Sequence, residues 1–326
     1  MILDEMIMRS IGSKANIVVT QPRRISAIGV SERIAAERVE KLGETSGYAI
    51  KLEKKVSKKT RLLLCTTGVL LRRLQCDPDL AAVSHVFVDE VHERDLNTDF
   101  LLIILKDLLI RRKSLKLVLM SATLNAQAFL DFFSANSSGS CGMISIPGRA
   151  HPVSEFRLED ALALTGYEVQ EDSDYAVKKR QDGSTPGRWS KSALRKKYPK
   201  YDSKVIQSLS VVDETAINYE LIAALLQHIS ENQPEGAILV FLPGIMEISK
   251  AMDEIRRIEL FQSDKFWILP LHSSLSTTDQ TSIFKRPPDG VRKIVLATNI
   301  AETSITIEGK RYRCSSVLPI YYLLCF

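Results

Sequence analysis

The chain has 326 residues, 45% hydrophobic and 25% charged, a balance typical of a globular protein long enough for two domains. Its 44 Lys and Arg against 39 Asp and Glu give a formal net charge of +5, which permits a polyanionic partner without requiring one. The five cysteines include no Cys-x-x-Cys pair, which argues against zinc ribbons and disulfide scaffolds and favours a reducing compartment, the cytosol or the nucleus.

The first 150 residues alternate between strand and helix patterns. The sequence opens with apolar residues at helical spacing over residues 1–11 and no cap before them, so we expect the chain to start inside a helix. The patterns that follow predict strands at 16–20, 62–65, 85–88 and 117–120, and helices at 26–39, 97–112 and 124–133. This alternation predicts an α/β fold with an open parallel sheet covered by helices on both faces.

The composition changes after residue 147 and then returns to the first pattern. Residues 175–201 are rich in Lys, Arg, Ser and Gly and poor in apolar residues, so we expect a mobile segment that either touches RNA or is a solvated linker. A second alternation predicts helices at 218–230, 245–258 and 276–284 and strands at 237–242, 266–271 and 293–297. Residues 310–326 lose the period. The predicted domains are 1–146, a linker with a basic insertion at 147–216, and 217–326.

Two adjacent carboxylates, Asp89 and Glu90, end the apolar run 85–88, and His92 follows two residues later. Ligands of parallel sheets bind at the carboxyl ends of the strands, where adjacent acids are costly unless a cation neutralises them. A nucleotide-bound magnesium ion would do so, and Glu90 could then take a proton from attacking water. The alternative is an ordinary helix start in which an acid caps free backbone N–H groups.

Four other strand ends carry polar groups that suit phosphates. Arg23 and Arg24 follow the first strand, where a helix start helps to bind a phosphate backbone, although a solvated arginine pair is the alternative. Thr66-Thr67-Gly68 offers hydroxyl and backbone donors or a plain helix cap, and Ser121-Ala122-Thr123 either couples sites or merely ends a strand. The segment 297–307 is dense in hydroxyl groups around one acid, which suits a surface that contacts a nucleotide and a phosphate backbone.

The order of these motifs resembles the DEAH-box RNA helicases of superfamily 2 over residues 2–309. The motifs that carry the resemblance are Thr20-Gln21-Pro22-Arg23-Arg24, Thr66-Thr67-Gly68, Asp89-Glu90-Val91-His92, Ser121-Ala122-Thr123, Phe241-Leu242-Pro243-Gly244 and the segment from Ala297 to Ile307. The resemblance implies two RecA-like domains, each a three-layer αβα sandwich around a parallel sheet, that use ATP and Mg²⁺ to move along single-stranded RNA. Residues 65–74 and 291–307 look most like a subgroup of large helicases that includes one acting in translation initiation, so ribosomal or ribonucleoprotein partners are a further hypothesis. No membrane partner is expected.

The resemblance also assigns roles residue by residue. Asp89 would hold magnesium together with Glu90, Glu90 would activate water, and His92 would link the nucleotide site to the second domain. Ser121 and Thr123 would couple hydrolysis to domain movement. The remaining assignments are RNA backbone contacts by Arg23, Arg24, Thr66, Thr67, Gly68 and Thr298, and nucleotide contacts by Glu302, Thr303 and Ser304.

The chain departs from the family pattern at several places. Val91 stands where the family has alanine, a small change that we expect a buried turn to tolerate. The sequence has no Gly-x-x-x-x-Gly-Lys-Ser/Thr loop, and residues 310–326 do not match the arginine-rich motif that follows Gly309 in the family. We therefore expect both domains to be incomplete, the chain to be a helicase fragment cut at both ends, and ATP hydrolysis by it to be weak. The alternative is an inactive RNA- or protein-binding fragment.

Overall fold

A computed structural model of the protein describes residues 2–9, 11–122, 126–134, 141–148, 153–178, 189–301, 310–315 and 322–325. These residues form two compact units, 2–148 (unit 1) and 153–325 (unit 2). The strands and helices predicted between residues 16 and 133 are confirmed to within two residues at each end. The same holds for the elements predicted between residues 218 and 271 and for the strand at 293–297. No helix in the described ranges is long and apolar enough to cross a membrane.

Unit 1 is built on a six-stranded sheet of order β3-β2-β4-β1-β5-β6. Its elements in chain order are α1 (Ile2–Met8), β1 (Ile17–Gln21), α2 (Arg24–Glu37), β2 (Ser46–Ile50), β3 (Glu53–Lys55), β4 (Leu62–Thr66), α3 (Thr67–Cys76), β5 (His85–Val88), α4 (Leu96–Arg111), β6 (Lys116–Leu119) and α5 (Ala126–Ser134). All pairings are parallel except that of β3 with β2. Because β1 lies between β4 and β5, the strand order reverses there, which is where ligands of such sheets bind.

Helices cover both faces of this sheet, as the sequence predicts. Neighbouring residues of β4 belong to opposite cores: Leu64 packs with α2, and Cys65 packs with α3 and α4. Alternation of this kind, with both side chains buried, is what makes the central strands continuous apolar runs. Helix α4 begins where the Asp95 carboxylate accepts the N–H of Thr98 at 3.2 Å, and its leucines fill one core.

A lysine-rich segment between α2 and β4 folds into a β-hairpin, in which β2 pairs antiparallel with β3. The local sequence pattern predicts neither strand. Gly47 makes the hairpin possible, since a Cβ there would lie 2.3 Å from the carbonyl oxygen of Lys55. Lys54 and Lys55 line the outer strand, where charge discourages pairing with another chain.

Unit 2 contains a second six-stranded sheet, of order β7-β12-β11-β8-β10-β9. Its elements in chain order are β7 (Ser154–Phe156), α6 (Leu158–Thr165), α7 (Lys191–Lys197), α8 (Ser203–Val211), α9 (Tyr219–Asn232), β8 (Ala237–Phe241), α10 (Ile245–Arg257), β9 (Phe266–Leu271), α11 (Thr277–Thr281), β10 (Arg292–Ala297), β11 (Lys310–Ser315) and β12 (Tyr322–Cys325). Strands β8 to β11 are parallel, and β12 and β7 pair antiparallel at one edge.

Two sequence expectations about this unit are wrong. Residues 189–201, within the segment expected to be mobile, carry α7, whose Leu194 is buried. Residues 310–326, read as having no period, supply β11 and β12, and β11 pairs with β8 in the middle of the sheet. Local pattern fails at β11 because its partner β8 lies far earlier in the chain, and at α7 because the basic composition of the helix resembles that of a linker. The helix predicted at 276–284 is a short α-helix followed by a 3-10 turn at Ser282–Phe284.

Part of the segment predicted to be a linker packs into unit 2. Helices α6 and α8 share an apolar cluster with the start of α9, in which Leu162, Val211 and Leu221 are buried. Helix α9 begins where the Asn218 carboxamide accepts the N–H of Leu221 at 2.9 Å. Because this cluster is continuous with α9, residues 153–178 and 189–216 belong to the same compact unit as the second sheet.

Candidate active site

The polar motifs of unit 1 meet at one edge of its sheet. The parallel register sets Gln21 beside Thr66, Thr20 beside Val88, and Val88 beside Leu119. The residues that follow these strands therefore emerge together, next to the point where the strand order reverses. Four separate sequence motifs, spread over about a hundred residues, are thus brought into one surface.

Asp89 is held by hydrogen bonds to both oxygens of its carboxylate. Gln21 Nε2 donates to Asp89 Oδ2 at 2.7 Å, and the backbone N–H of Glu90 donates to Oδ1 at 2.8 Å. The backbone N–H of Asp89 donates to the carbonyl of Thr20 at 3.2 Å, which extends the β1–β5 ladder by one step. The carboxylate is thus fixed in direction while each oxygen keeps a further lone pair.

Glu90 has a left-handed backbone, with φ of 54°. This conformation is uncommon outside glycine and costs about 1–3 kcal/mol, and such residues cluster at functional sites. The turn is held from both sides, because the N–H of Val91 donates to the carbonyl of Met120 at 3.1 Å and the Val91 side chain is buried in the core. Val91 therefore packs within this turn, and its tolerance in place of the family alanine stays a prediction.

His92 connects two of the motifs. Its Nε2 lies 3.5 Å from Glu90 Oε2, and its Nδ1 accepts the backbone N–H of Ala122 at 3.3 Å. Because Nδ1 accepts, the hydrogen of the neutral ring lies on Nε2, which faces the Glu90 carboxylate. The side chains of Glu90 and His92 are only 15% and 18% exposed, so this contact is shielded from bulk water. Ser121 is exposed beside Ala122, and Thr123 lies outside the described residues.

The arginine pair divides into two environments. Arg23, at the start of α2, has its guanidinium 3.5 Å from Glu93 Oε1, and its side chain is 18% exposed. Arg24 is exposed. The turn that carries both arginines is therefore tied twice to the acidic motif, once by the pair of Arg23 with Glu93 and once by the bond from Gln21 to Asp89.

The Thr66-Thr67-Gly68 motif forms the start of α3. Thr66 is the cap residue but makes no side-chain capping bond, and Thr67 is 4% exposed. Gly68 is exposed, and a Cβ built on it meets nothing within 4 Å. Gly68 and the backbone around it are therefore more open to a ligand than the Thr67 hydroxyl is.

Unit 2 also places its motifs at the carboxyl ends of parallel strands. Thr298 follows β10, is 7% exposed, and donates its backbone N–H to the carbonyl of Leu271 at 3.2 Å. Gly244 follows β8 and precedes α10, where a Cβ would lie 2.8 Å from the Glu247 carboxylate. Glu302, Thr303 and Ser304 lie outside the described residues.

Gln21 is the site residue that sequence reasoning missed. Its side chain is 2% exposed, and it reaches a carboxylate 68 positions away. The available signal was its place at the end of a β-branched strand, immediately before the arginine pair. The strand pairing that sets it against Asp89 cannot be read from that signal alone.

The donor set suits a magnesium ion held jointly with a substrate. Within the described residues no three His, Cys, Asp or Glu side chains form a metal site by themselves. Magnesium keeps several waters and is usually bound by one or two carboxylates plus substrate phosphates. Asp89 and Glu90 supply that number of carboxylates, both of them partly buried at the strand end.

Comparisons with known proteins agree with this geometry. Residues 220–313 match the helicase conserved C-terminal domain. The chain is 48% identical over 326 residues to DExH-box ATP-dependent RNA helicase DExH1 of Arabidopsis thaliana, covering 95% of this chain and 32% of that protein. It is 45% identical over 329 residues to ATP-dependent DNA/RNA helicase DHX36 of Bos taurus, with the same coverage. The chain is homologous to DEAH/DExH-box ATP-dependent RNA helicases over 95% of its length.

A solved structure supports the same family and fold. The crystal structure of the Escherichia coli DEAH/RHA helicase HrpB matches 92% of this chain at a TM-score of 0.61 and 30% identity, and the match covers 31% of that chain. The two sheets of this chain are therefore RecA-like, as expected. The chain spans about a third of the length of the relatives named above.

Proposed function

We propose that this chain carries much of the machinery of an ATP-dependent RNA helicase, which couples ATP hydrolysis to movement along RNA. The observation that supports this most is the hydrogen-bonded set at one edge of unit 1. Gln21 bonds to Asp89, Glu90 faces His92, and His92 accepts from Ala122. This set joins three motifs that stand in the order typical of the family.

ATP is the proposed substrate, and Asp89 and Glu90 are the proposed magnesium ligands. A magnesium ion bound there supplies charge neutralisation for the phosphate oxygens. Gln21 fixes the Asp89 carboxylate before substrate arrives, which lowers the entropy cost of forming the site.

Glu90 is the proposed general base, which takes a proton from attacking water at its carboxylate. His92 Nε2 keeps that carboxylate in place, and His92 Nδ1 accepts the backbone N–H of Ala122 in the Ser121-Ala122-Thr123 segment. A movement of that segment would therefore change the position of His92 and, through it, of Glu90. Ser121 and Thr123 are proposed to couple hydrolysis to domain movement in this way.

RNA is the proposed polymeric partner, contacted through its backbone. Arg24 is exposed for such a contact, and Gly68 leaves open space at the start of α3. We propose Arg23, Arg24, Thr66, Thr67, Gly68 and Thr298 as RNA contacts, and Glu302, Thr303 and Ser304 as nucleotide contacts. Backbone contacts of this type position RNA without reading its sequence. Ribosomal or ribonucleoprotein partners and a cytosolic or nuclear location stay predictions.

A second candidate function is binding without catalysis. The sequence contains no Gly-x-x-x-x-Gly-Lys-Ser/Thr, the loop that cradles the phosphates in P-loop enzymes. We therefore propose that the 326-residue chain alone hydrolyses ATP weakly while still binding RNA in a salt-dependent way.

The test uses two proteins. One is the chain itself, and the other is a chimera in which residues 2–309 replace the matching segment of the Arabidopsis relative, which we call the chimera. Phosphate release is measured with and without a single-stranded RNA. The proposal expects RNA-stimulated hydrolysis by the chimera and little by the chain. A folded chimera without RNA-stimulated hydrolysis would contradict the helicase assignment and leave the binding function.

A further inference from the structure

Helix α7 of unit 2 carries an unusual concentration of positive charge. Its seven residues include four cations, Lys191, Arg195, Lys196 and Lys197, and no acid. All four are exposed, and none of them forms an ion pair with a carboxylate of the described residues. The next lysines along the chain differ, because Lys200 pairs with Asp160 at 3.5 Å and Lys204 pairs with Glu168 at 2.6 Å.

The helix dipole does not account for this pattern. Cations in the last turn of a helix are stabilised by the partial negative charge there, which suits Arg195, Lys196 and Lys197. Lys191 stands in the first turn, where the dipole makes a cation unfavourable. The four like charges also repel one another, so the cluster costs stability unless an anion is bound.

Aromatic rings lie beside these charges. Trp189 is 55% exposed, and Lys197 Nζ lies 5.2 Å from the centre of its ring and 5.0 Å from the centre of the Tyr198 ring. An exposed tryptophan leaves a large apolar surface in contact with water, which is unfavourable unless a partner covers the ring. Exposed rings next to cations are how proteins bind single-stranded nucleic acids, since a base stacks on the ring while the cations follow the phosphates.

The cations stand on a fixed support. Ser190 Oγ accepts the N–H of Ala193 at 3.2 Å, which caps the helix. The Leu194 side chain is 3% exposed, and Arg195 donates at 3.4 Å to Oγ of Ser203, the first residue of α8. Four charges on a packed helix lose less conformational freedom on binding than the same charges on an open chain.

We infer that Trp189, Lys191, Arg195, Lys196, Lys197 and Tyr198 form a single-stranded RNA-binding surface, the α7 patch, separate from the motif residues of the helicase family. The inference rests on the proposed function only in taking RNA as the polyanion. Two or more phosphates contact the cations, and one base stacks on Trp189. The surface adds affinity that does not depend on ATP.

The test is the affinity of the full chain for a fluorescein-labelled 12-residue oligouridylate, measured by anisotropy across a salt series without ATP. Lys196→Glu/Lys197→Glu should weaken binding at least tenfold at about 0.1 M salt, and the slope of log K against log salt should fall by about 1.4. Trp189→Ala should weaken binding about fivefold or more, whereas Trp189→Phe, which keeps a ring, should bind nearly as wild type.

The matched control is Lys58→Glu/Lys59→Glu, which makes the same charge change on exposed lysines that precede β4, at the amino end of the unit 1 strands. The proposal is overturned if this control loses as much affinity as the α7 variant, or if Trp189→Ala binds as wild type. It is also overturned in favour of an acidic protein partner if polyglutamate displaces the RNA at equal charge concentration. ATP hydrolysis does not enter this assay, so failure of the helicase assignment and failure of the α7 patch are distinguishable.

Discussion

The two sheets present polar motifs at the same kind of edge but hold them differently. In unit 1, side chains from different strands bond to one another, as Gln21 does to Asp89 and Arg23 to Glu93. In unit 2, the described part of the corresponding edge is held by the backbone, with Thr298 bonded to Leu271 and Leu242 bonded to Ala297 at 2.8 Å. The contacts in unit 1 therefore orient individual carboxylates, as a catalytic site requires. The contacts in unit 2 hold the backbone of the loops in place.

Two buried polar side chains in unit 2 agree with this distinction, because each donates to backbone carbonyls. Gln280, 4% exposed, donates to the carbonyls of Ser273 and Leu275 in the turn after β9. Lys293, 1% exposed, donates to the carbonyl of Ile283 at 2.9 Å and to that of Lys285. Both residues shape loops rather than a reactive group. Breaking one bond of each kind should therefore give different phenotypes.

The largest stability effect is expected at Lys293. Lys293→Met keeps much of the volume but leaves the carbonyls of Ile283 and Lys285 without this donor, which should cost about 2–3 kcal/mol in the stability of unit 2. Urea unfolding followed by tryptophan fluorescence reports on unit 2, since Trp189 and Trp267 both lie there. Lys250→Met, at an exposed position of α10, is the control, and equal midpoints for the two variants would count against a structural role for Lys293.

An intermediate effect is expected at Gln21, and mainly on activity. Gln21→Leu removes the donor to Asp89 but also removes Gln21 Oε1, which is buried with no hydrogen-bond partner among the described residues. The two changes offset, so the unfolding free energy should move by less than about 1 kcal/mol. ATP turnover by the chimera should nonetheless fall about tenfold because Asp89 loses its fixed direction.

The control for this prediction is Gln170→Leu, at an exposed glutamine of unit 2, which should change neither quantity. A Gln21→Leu chimera with unchanged turnover would show that the bond to Asp89 serves packing only. A variant that fails to fold would show that removing the buried Gln21 Oε1 stabilises the protein too little to offset the lost hydrogen bond to Asp89.

The smallest effect concerns pH and His85, at the amino end of β5 and away from the site. Burial lowers the pKa of His85, and the nearby Lys116 lowers it further. The unfolded chain therefore binds the proton more readily, so this group removes stability as pH falls below its ordinary value of 6.5. Because the side chain is only partly buried and solvent screens it, the effect should stay below about 1 kcal/mol.

The measurement is the urea midpoint of unit 1, followed by circular dichroism at pH 7.5 and 5.5. The wild-type chain should lose more stability between these two pH values than His85→Gln does. Equal losses would mean that His85 contributes nothing to the pH dependence. A larger loss in the variant would reverse the sign worked out above.

The sequence predicts the parts of this molecule that depend on local pattern. The apolar runs before Asp89 and before Pro243 are strands, and the β-branched residues in them, Val86, Val88, Ile238 and Val240, are all buried. The motif order also predicts which residues share an edge, since parallel strands bring their carboxyl ends together. Asp89, Glu90 and His92 lie as close as that reasoning requires.

The features that could not be predicted depend on specific contacts between residues and not on local composition or periodicity. The bond from Gln21 to Asp89 requires the β1–β5 pairing, and the β2 strand requires Gly47 to admit the carbonyl of Lys55. Helix α7 was hidden because its basic residues resemble a linker, and only the burial of Leu194 and the Ser190 cap show why it folds. The composition of this segment shows that it is positively charged, but not that a packed helix carries the charges.

The most direct test of the central claim is the RNA-stimulated ATP hydrolysis of the chimera carrying Glu90→Gln. The carboxamide keeps the size of the side chain but cannot take a proton, so turnover should fall by about 10²–10⁴-fold while RNA affinity is unchanged. Asp107→Asn, which neutralises an exposed acid of α4, should leave turnover as it is. Turnover by Glu90→Gln equal to that of the Asp107→Asn control would show that the acidic edge of unit 1 is not where ATP is hydrolysed.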